Sequence, residues 1–193
     1  MSNSFNLQDL KRIFLKLGIK KKDKLQVNSN ILNILKSKKT IIKPNQIIDT
    51  LIEIVTFKGS LMLPAYNWSF CNGEGFKYLE TKSLTGALSN LALKREDFLR
   101  SINPIYSFLI YGKDKNKISK LKHKSCFSLN SPFGYLIKNN GKNLFIDLDY
   151  KEALTYVHVA EESVKVNNRY LKKFSGTYFD INNKKKKKKY FSK

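Results

Sequence analysis

The stretch KLQVNSNILNILKSKKTIIKPNQIIDTLIEIVTFKGSLMLP, residues 24–64, contains the pattern that decides the fold. Leu25 and Val27 begin a short strand in KLQVN, and SLMLP is a second, apolar strand that proline ends. Between them, Pro44 suits the first turn of a helix whose apolar stripe covers residues 47–55. Two strands joined through a helix indicate a layered α/β architecture.

The rest of the chain continues the alternation of strands and helices. IYSFLIY at residues 105–111 and NLFI at 143–146 are strand-like. Helical spacing or capping signals occur near residues 7–17, 85–93, 131–136 and 155–163. We therefore predict a layered α/β/α fold with a mixed, largely parallel sheet, formed as one domain by residues 1–180.

Composition excludes several classes of protein. The chain has 193 residues and 41% hydrophobic residues, enough for a core, which excludes a wholly disordered protein. Two cysteines, Cys71 and Cys126, cannot form a disulfide framework or a cysteine-rich zinc site. No apolar run approaches the roughly 18–20 residues of a membrane span, and the first residues lack a signal-peptide core. These features predict a soluble, cytoplasmic protein without a membrane partner.

The formal charge of +22 suggests a nucleic-acid partner, but its distribution makes another interpretation the better one. Residues 184–193 include seven lysines, and the other basic residues are spread thinly without interleaved aromatics. A lysine-rich surface set by codon bias therefore explains the charge better than nucleic-acid binding does. Residues 181–193 are predicted to be a disordered tail, because a block of like charges repels itself. Slippage in an adenine tract, which would change the reading frame, is an alternative origin of this segment.

One histidine stands close to carboxylates. His158 and Glu161 are three residues apart in ALTYVHVAEES, so on a helix they share one face. A carboxylate beside an imidazole orients the ring and raises its basicity, as a general base requires. An ordinary surface pair of histidine and glutamate has the same pattern. His123, among lysines, is predicted to be solvated, and no metal site is expected because no second histidine is near.

Two polar turns are candidate anion-binding sites. Asn28, Ser29 and Asn30 stand where a strand meets a helix start, and exposed N–H groups there can hold a phosphate. Ordinary helix capping by Ser29 or Asn28 is the alternative. Arg100 opens a polar turn, RSINPIYS at residues 100–107, and could bind an anion or form a surface ion pair with Glu96 or Asp97.

The order of five segments resembles the aminoglycoside 3-N-acetyltransferase family. The segments are LGIKKKDKLQVNSNILNI, GSLMLPAYNW, TGALSNLALKREDFLRSINPIYSFLIYG, LNSPFGYLIKNNGKNLFI and LTYVHVAEE, and the resemblance covers about residues 5–180. It implies a layered α/β fold distinct from that of the more common acetyltransferases. The implied activity is transfer of an acetyl group from acetyl-CoA to an amine of an aminosugar or aminoglycoside.

The resemblance also implies roles for individual residues. His158 would be the general base and Glu161 its partner, in the motif T-x-x-H-x-x-E. Tyr66 and Glu162 are the candidates for binding the acceptor. Backbone N–H groups of the turn at residues 100–107 would stabilise the oxyanion. The residues expected to bind the CoA part are Ser29, Asn30, Arg100, Ser101 and Ser107.

Three departures from the family pattern qualify this expectation. Asn28-Ser29-Asn30 stands where the family usually has His-Ser-Ser, and Asn103, Ile105 and Tyr106 differ from its usual histidine and threonine residues. These changes fit an acceptor that is a cell-surface or nucleotide-linked aminosugar. Family members usually continue beyond the lysine run with further strands and a helix. A truncated, inactive family member is therefore the first alternative, and a basic nucleic-acid-binding protein is the second.

Overall fold

The computed structural model describes residues 5–37 and 40–192. Helices and strands alternate along much of this part of the chain, as the apolar patterning predicts. The helices are α1 (Leu7–Lys16), α2 (Leu32–Lys36), α3 (Pro44–Val55), α4 (Ala87–Ala92), α5 (Lys115–Ser119), α6 (Pro132–Lys138), α7 (Tyr150–Ala153) and α8 (Val157–Ser163), with a 3-10 turn at Ser69–Asn72. The strands are β1 (Lys24–Ser29), β2 (Ser60–Tyr66), β3 (Phe76–Lys77), β4 (Leu99–Arg100), β5 (Tyr106–Gly112), β6 (Lys142–Ile146), β7 (Lys172–Phe179) and β8 (Lys185–Ser192).

The central sheet has five strands in the order β4-β5-β2-β1-β6. Strand β1 is parallel to both β2 and β6, whereas β5 is antiparallel to β2 and to β4. The predicted mixed α/β sheet is therefore confirmed. Because β1, β2 and β6 run in the same direction, their carboxyl ends meet at one edge of the sheet.

Apolar side chains cover both faces of the central sheet. Leu25 and Leu61 belong to a core cluster that includes residues of α1, α3 and α4. Met62 and Phe108 belong to a second, aromatic-rich cluster on the opposite face, with residues of α6, β7 and β8. Successive residues of a strand point to opposite faces, so β2, which is buried along its whole length, contributes to both clusters.

The lysine run lies in a strand, so the prediction of a disordered tail is wrong for residues 185–192. Strand β8 pairs antiparallel with all of β7, from Lys172 opposite Ser192 to Phe179 opposite Lys185. Buried Tyr190 holds β8 against the aromatic cluster, and the Lys188 Nζ lies 3.7 Å from the centroid of the Tyr178 ring. Pairing in the hairpin satisfies the hydrogen-bonding groups of the backbone, and most of the lysine ammonium groups remain exposed to water. Lys193 lies outside the described residues.

His123 is not the solvated surface histidine that the sequence predicts. Its Nδ1 lies 2.8 Å from the carbonyl oxygen of Ser125, and its Nε2 is buried without a partner in the described chain. The ring is 6.3 Å from that of Tyr190, beside the backbone bonds that join Phe191 to Lys124 and Cys126. Burial lowers the pKa of His123 below its usual value.

Acid should therefore weaken the folded state through His123. Below the usual histidine pKa of about 6.5, the unfolded chain binds a proton at this position more readily than the folded chain, so stability falls as pH falls toward the lowered pKa. We expect the melting temperature to fall less between pH 7 and pH 5 in His123→Gln than in the wild type. An equal fall in both proteins would contradict this assignment.

Candidate active site

A cavity of about 560 Å³ lies at the carboxyl ends of β1, β2 and β6, and we call it the strand-end cavity. Ligands of open α/β sheets commonly bind at such an edge, where connections leave neighbouring strands in opposite directions. Here β2 and β6 lie on opposite sides of β1. The lining residues are Val27, Asn28, Ser29, Asn30, Ile31, Leu32, Pro64, Tyr66, Trp68, Thr85, Gly86, Ala87, Ser89, Leu148, Ala153 and Thr155.

Two of the residues expected to bind CoA, Ser29 and Asn30, line the strand-end cavity. The Asn30 backbone N–H donates to the carbonyl of Ile146 (2.9 Å), and its side-chain oxygen accepts from the N–H of Leu32 (3.2 Å). Helix α2 therefore does not use Ser29 or Asn28 as a cap, contrary to the alternative considered from the sequence. The Asn28 side chain instead accepts a hydrogen bond from Gln26 Nε2 (3.1 Å).

The loop that faces Ser29 comes from the TGALS motif, residues 85–89. Gly86 has a φ of 76°, which favours glycine, and an added Cβ would make an ordinary contact of 3.5 Å with the Ser29 carbonyl oxygen. The hydroxyls of Thr85 and Ser89 both donate to the carbonyl of Pro64, at 3.3 and 2.5 Å. These bonds fix the loop against the end of β2. Nothing in the sequence alone indicated that this motif lines the same cavity as Ser29.

The predicted pair of His158 and Glu161 forms on one face of α8. The His158 Nδ1 lies 2.7 Å from Glu161 Oε2, and both side chains are about one-fifth exposed (22% and 23%). When Nδ1 carries the proton that this hydrogen bond uses, Nε2 keeps its lone pair. The His158 ring also packs against the Phe127 ring, with 4.9 Å between centroids. A carboxylate and an aromatic ring thus fix the orientation of the imidazole.

Glu161 has a further neighbour, the cationic side chain of Arg169, that sequence reasoning missed. The Nε of Arg169 lies 3.2 Å from the same Glu161 oxygen that binds His158. Arg169 belongs to the connection between α8 and β7, and its distance from Glu161 in the sequence gives no periodic signal. The arrangement Arg169–Glu161–His158 holds the carboxylate from both sides.

Arg169 lines a second cavity, of about 430 Å³, which we call the Arg169 cavity. Trp68 lines this cavity and the strand-end cavity as well. The lining residues of the Arg169 cavity are Trp68, Cys71, Ile105, Tyr106, Asn168, Arg169, Tyr170, Lys172, Phe174 and Ser192.

His158 is connected to both cavities through its immediate neighbours. Thr155, whose carbonyl accepts the His158 backbone N–H at 3.3 Å, lines the strand-end cavity. On the other side, Arg169 is joined to His158 through Glu161. Phe127 contacts the His158 ring and also the ring of Tyr106, which lines the Arg169 cavity (4.8 Å between centroids). His158 itself lines neither cavity and is connected to them through these neighbours.

Tyr66, predicted to bind the acceptor, is buried at the end of β2 and lines the strand-end cavity. Its hydroxyl has no hydrogen-bond partner of ordinary geometry in the described chain. Burial first, and then Tyr106, raises the pKa of Tyr66 well above its usual value, and the nearby Thr155 side chain offsets part of the rise. The phenol therefore stays protonated and can donate a hydrogen bond to a bound ligand.

Glu162, the other residue predicted to bind the acceptor, lies outside the lining of both cavities. Its carboxylate accepts a short hydrogen bond from the hydroxyl of Ser125. That bond ties α8 to the segment that precedes Cys126.

Arg100 is buried (2% exposed), so it cannot form a surface ion pair. It lines neither cavity. Its guanidinium donates to Ser107 Oγ (2.9 Å) and to three carbonyls, those of Thr81 (2.6 Å), Tyr78 (3.2 Å) and Ala65 (3.3 Å). Burial lowers the pKa of Arg100 to about 10. The ion pair that the sequence suggested with Asp97 is made instead by Arg95.

Ser101 and Ser107 are buried as well, and the structure does not bring them to either cavity. The Ser107 hydroxyl donates to the carbonyl of Ala65 (2.7 Å), and the Ser101 hydroxyl accepts from the N–H of Phe108 (2.9 Å). The backbone N–H groups of Ser101, Ile105 and Tyr106 are also occupied within the protein, so they cannot form the predicted oxyanion site. The polar groups of the turn at residues 100–107 thus form hydrogen bonds with strands of the central sheet.

Across residues 5–37 and 40–192, no group of three or more histidine, cysteine, aspartate or glutamate side chains is arranged to hold a metal ion. Within the same residues, no helix has the length and apolar character needed to cross a membrane.

Comparison with solved structures relates this fold to known acetyltransferases. The structure of AAC-IIIb in a binary complex with CoASH has 16% sequence identity and a TM-score of 0.84, covering 97% of this chain and 75% of that one. AAC-VIa bound to sisomicin has 16% identity and a TM-score of 0.82, with 98% and 76% covered. YokD of Bacillus subtilis has 21% identity and a TM-score of 0.80, with 96% and 80% covered.

Comparison of the sequence with protein families gives the same assignment. A search of curated proteins gave no match. The family model described as aminoglycoside 3-N-acetyltransferase matches residues 34–192, which includes α8 with His158 and Glu161, and the whole of the β7–β8 hairpin. The match covers most of the chain and confirms the resemblance seen in its motifs. This chain belongs to the aminoglycoside 3-N-acetyltransferase family.

Proposed function

We propose that this protein transfers an acetyl group from acetyl-CoA to an amino group of an aminosugar or aminoglycoside, with His158 as the general base. The observation that carries the proposal is the His158–Glu161 pair, which is connected to two adjacent cavities. Acetyl-CoA would occupy the strand-end cavity, where Ser29 and Asn30 lie, and the acceptor would occupy the Arg169 cavity. A solved relative of the same fold is described in complex with CoASH and another with sisomicin, which supports these two kinds of ligand.

The ammonium form of the acceptor first releases one proton to solvent, because a protonated amine has no lone pair with which to attack. The neutral nitrogen attacks the carbonyl carbon of the thioester, forming a C–N bond and leaving the nitrogen with one excess proton. His158 Nε2 takes this proton as the general base, and Glu161 stabilises the imidazolium that results. The tetrahedral intermediate then collapses: the C–S bond breaks, and the leaving sulfur takes the proton back from the His158 imidazolium to give CoASH. The products are the N-acetylated acceptor and CoA.

Tyr66 is the group best suited to stabilise the oxyanion, in place of the turn that the sequence suggested. Tyr66 lines the strand-end cavity, its buried hydroxyl has no hydrogen bond of ordinary geometry in the described chain, and the phenol stays protonated because burial raises the pKa of Tyr66. A donor that is already desolvated and fixed gains most when negative charge develops beside it. Arg169 would act through Glu161, holding the carboxylate in the orientation that His158 needs.

Partly filling the strand-end cavity should weaken the binding of CoA. Ala87 lines the cavity but is exposed, so a tryptophan there would fill cavity space without disturbing the core. We expect Ala87→Trp to weaken CoA binding by about tenfold or more, a loss of about 1.4 kcal/mol or more. Isothermal titration calorimetry measures the change, and Lys94→Trp, an exposed position that does not line the cavity, is the matched control.

Three outcomes separate the proposal from its alternatives. Equal CoA affinity in Ala87→Trp, Lys94→Trp and the wild type would place the coenzyme elsewhere. A folded wild-type protein with no affinity for CoA would favour the inactive family member. Tight, steeply salt-dependent binding of RNA or DNA without acetyl transfer would favour the nucleic-acid alternative.

A further inference from the structure

We propose that the acceptor amine belongs to a sugar that also carries an anionic group, and that Arg169 and Lys172 bind that group. The inference rests on the proposed function, because it names the acceptor class for the same reaction. Both side chains line the Arg169 cavity, and no aspartate or glutamate among the described residues lines either cavity. A cavity with two cationic side chains and no carboxylate in its wall attracts anions.

The two cations are able to take a ligand. The ion pair with Glu161 engages the Nε of Arg169, and a guanidinium has four further N–H donors. Lys172 is exposed, lies 5.5 Å from the centroid of the Phe174 ring, and makes no ion pair with a carboxylate of the described chain. A phosphate or carboxylate bound between them would form charge-assisted hydrogen bonds, which are the stronger class.

The two carboxylates of α8 are already engaged within the protein and are poorly placed to attract a polycation. Glu161 already contacts both Arg169 and His158, and Glu162 accepts a hydrogen bond from Ser125. The protein as a whole carries a formal charge of +22, so its long-range field opposes the approach of a molecule with several ammonium groups. An acceptor whose anionic group balances the positive charge of its amine is not repelled in this way.

The position of Arg169 also orients such an acceptor. Arg169 is separated from His158 only by the Glu161 carboxylate, with contacts of 3.2 and 2.7 Å. An anionic group bound by Arg169 would therefore lie beside the Arg169–Glu161–His158 arrangement. The cavity volume of about 430 Å³ is within the range of small-molecule sites and suits one sugar unit with its anionic group.

The test compares acceptors that differ in charge. Acetyl transfer would be measured by thiol release from acetyl-CoA with glucosamine, glucosamine 6-phosphate, muramic acid and sisomicin. We expect kcat/KM to be about tenfold or more higher for an anionic acceptor than for glucosamine, which corresponds to one additional charge-assisted hydrogen bond. The better of glucosamine 6-phosphate and muramic acid identifies the anion as a phosphate or a carboxylate.

Variants of two adjacent lysines test the site itself. In Lys172→Gln the ratio of kcat/KM for the anionic acceptor to that for glucosamine should fall several-fold. In Lys173→Gln the ratio should stay as in the wild type, because Lys173 is also exposed but does not line the cavity. Calorimetry should show weaker binding of glucosamine 6-phosphate to Lys172→Gln and unchanged binding to Lys173→Gln. This readout does not depend on turnover.

The outcomes distinguish failure of this inference from failure of the proposed function. Acetylation of glucosamine or sisomicin at least as efficient as that of both anionic acceptors would overturn the inference and leave the acetyltransferase activity established. An unchanged ratio in Lys172→Gln would also overturn it. A protein that binds CoA but acetylates none of the four acceptors and binds no anionic sugar would overturn the inference together with the function on which it rests.

Discussion

Replacing His158 with alanine is expected to lower kcat for acetyl transfer by roughly 10²–10⁴-fold, the range typical of general-base catalysis. The amine would then lose the base to which the proposal assigns its proton. Binding of CoA should not change, because His158 does not line the strand-end cavity. Steady-state thiol release measures kcat, and calorimetry measures CoA affinity in the same preparations.

Two further variants make this expectation specific. Glu161→Gln should lower kcat less than His158→Ala, because an amide still accepts the hydrogen bond from Nδ1 but cannot stabilise an imidazolium by charge. His123→Gln changes the same residue type away from both cavities and should retain wild-type kcat at neutral pH. Wild-type turnover in His158→Ala would exclude His158 as the base.

Replacing Arg100 with methionine is expected to lower the free energy of unfolding by about 3 kcal/mol or more, the largest stability effect that we predict. The substitution removes a donor from Ser107 and from the carbonyls of Thr81, Tyr78 and Ala65, and methionine supplies none. Each buried acceptor left without a partner costs roughly 1–3 kcal/mol. Urea denaturation measures the change.

Arg95→Met is the matched control for this substitution. Arg95 forms ion pairs with Asp97 and Asp49 and is partly exposed, so its loss should cost about 1 kcal/mol or less. A similar effect of the two substitutions would contradict the assignment of Arg100 to the core. If Arg100→Met instead kept wild-type stability and lost CoA affinity, the role in CoA binding that the sequence resemblance implied would be correct.

Local patterns were sufficient to predict four of the five strands of the central sheet, whereas the short β4 includes Arg100, which was predicted to open a turn. Strand β2 is an apolar run that continues through Pro64 to Tyr66, two residues beyond the predicted end. Helix α3 begins at Pro44 and carries its apolar residues on one stripe, so both elements have a local signal. Strand β8 has no such signal in its lysines, because its conformation depends on pairing with β7 and on the burial of Tyr190. Strand formation of this kind is decided by tertiary contacts.

The residues of the candidate site also divide into those with a local signal in the sequence and those without one. The spacing of His158 and Glu161 is a helical one, so their contact was predictable from the sequence. Arg100 was predicted to bind CoA from the family resemblance and from its place in a polar turn, and four internal acceptors instead hold it in the core. Arg169 and Trp68 reach the site through long-range packing, which no single segment of the sequence encodes.

The most direct test of the central claim is analysis of the products formed by the full chain from acetyl-CoA and an amino-sugar acceptor. Mass spectrometry should detect CoA and the N-acetylated sugar in equal amounts, and acetyl-CoA alone should leave no acetyl group on the protein, because the amine attacks the thioester directly. A folded protein that binds both ligands and forms no N-acetylated sugar would contradict the account.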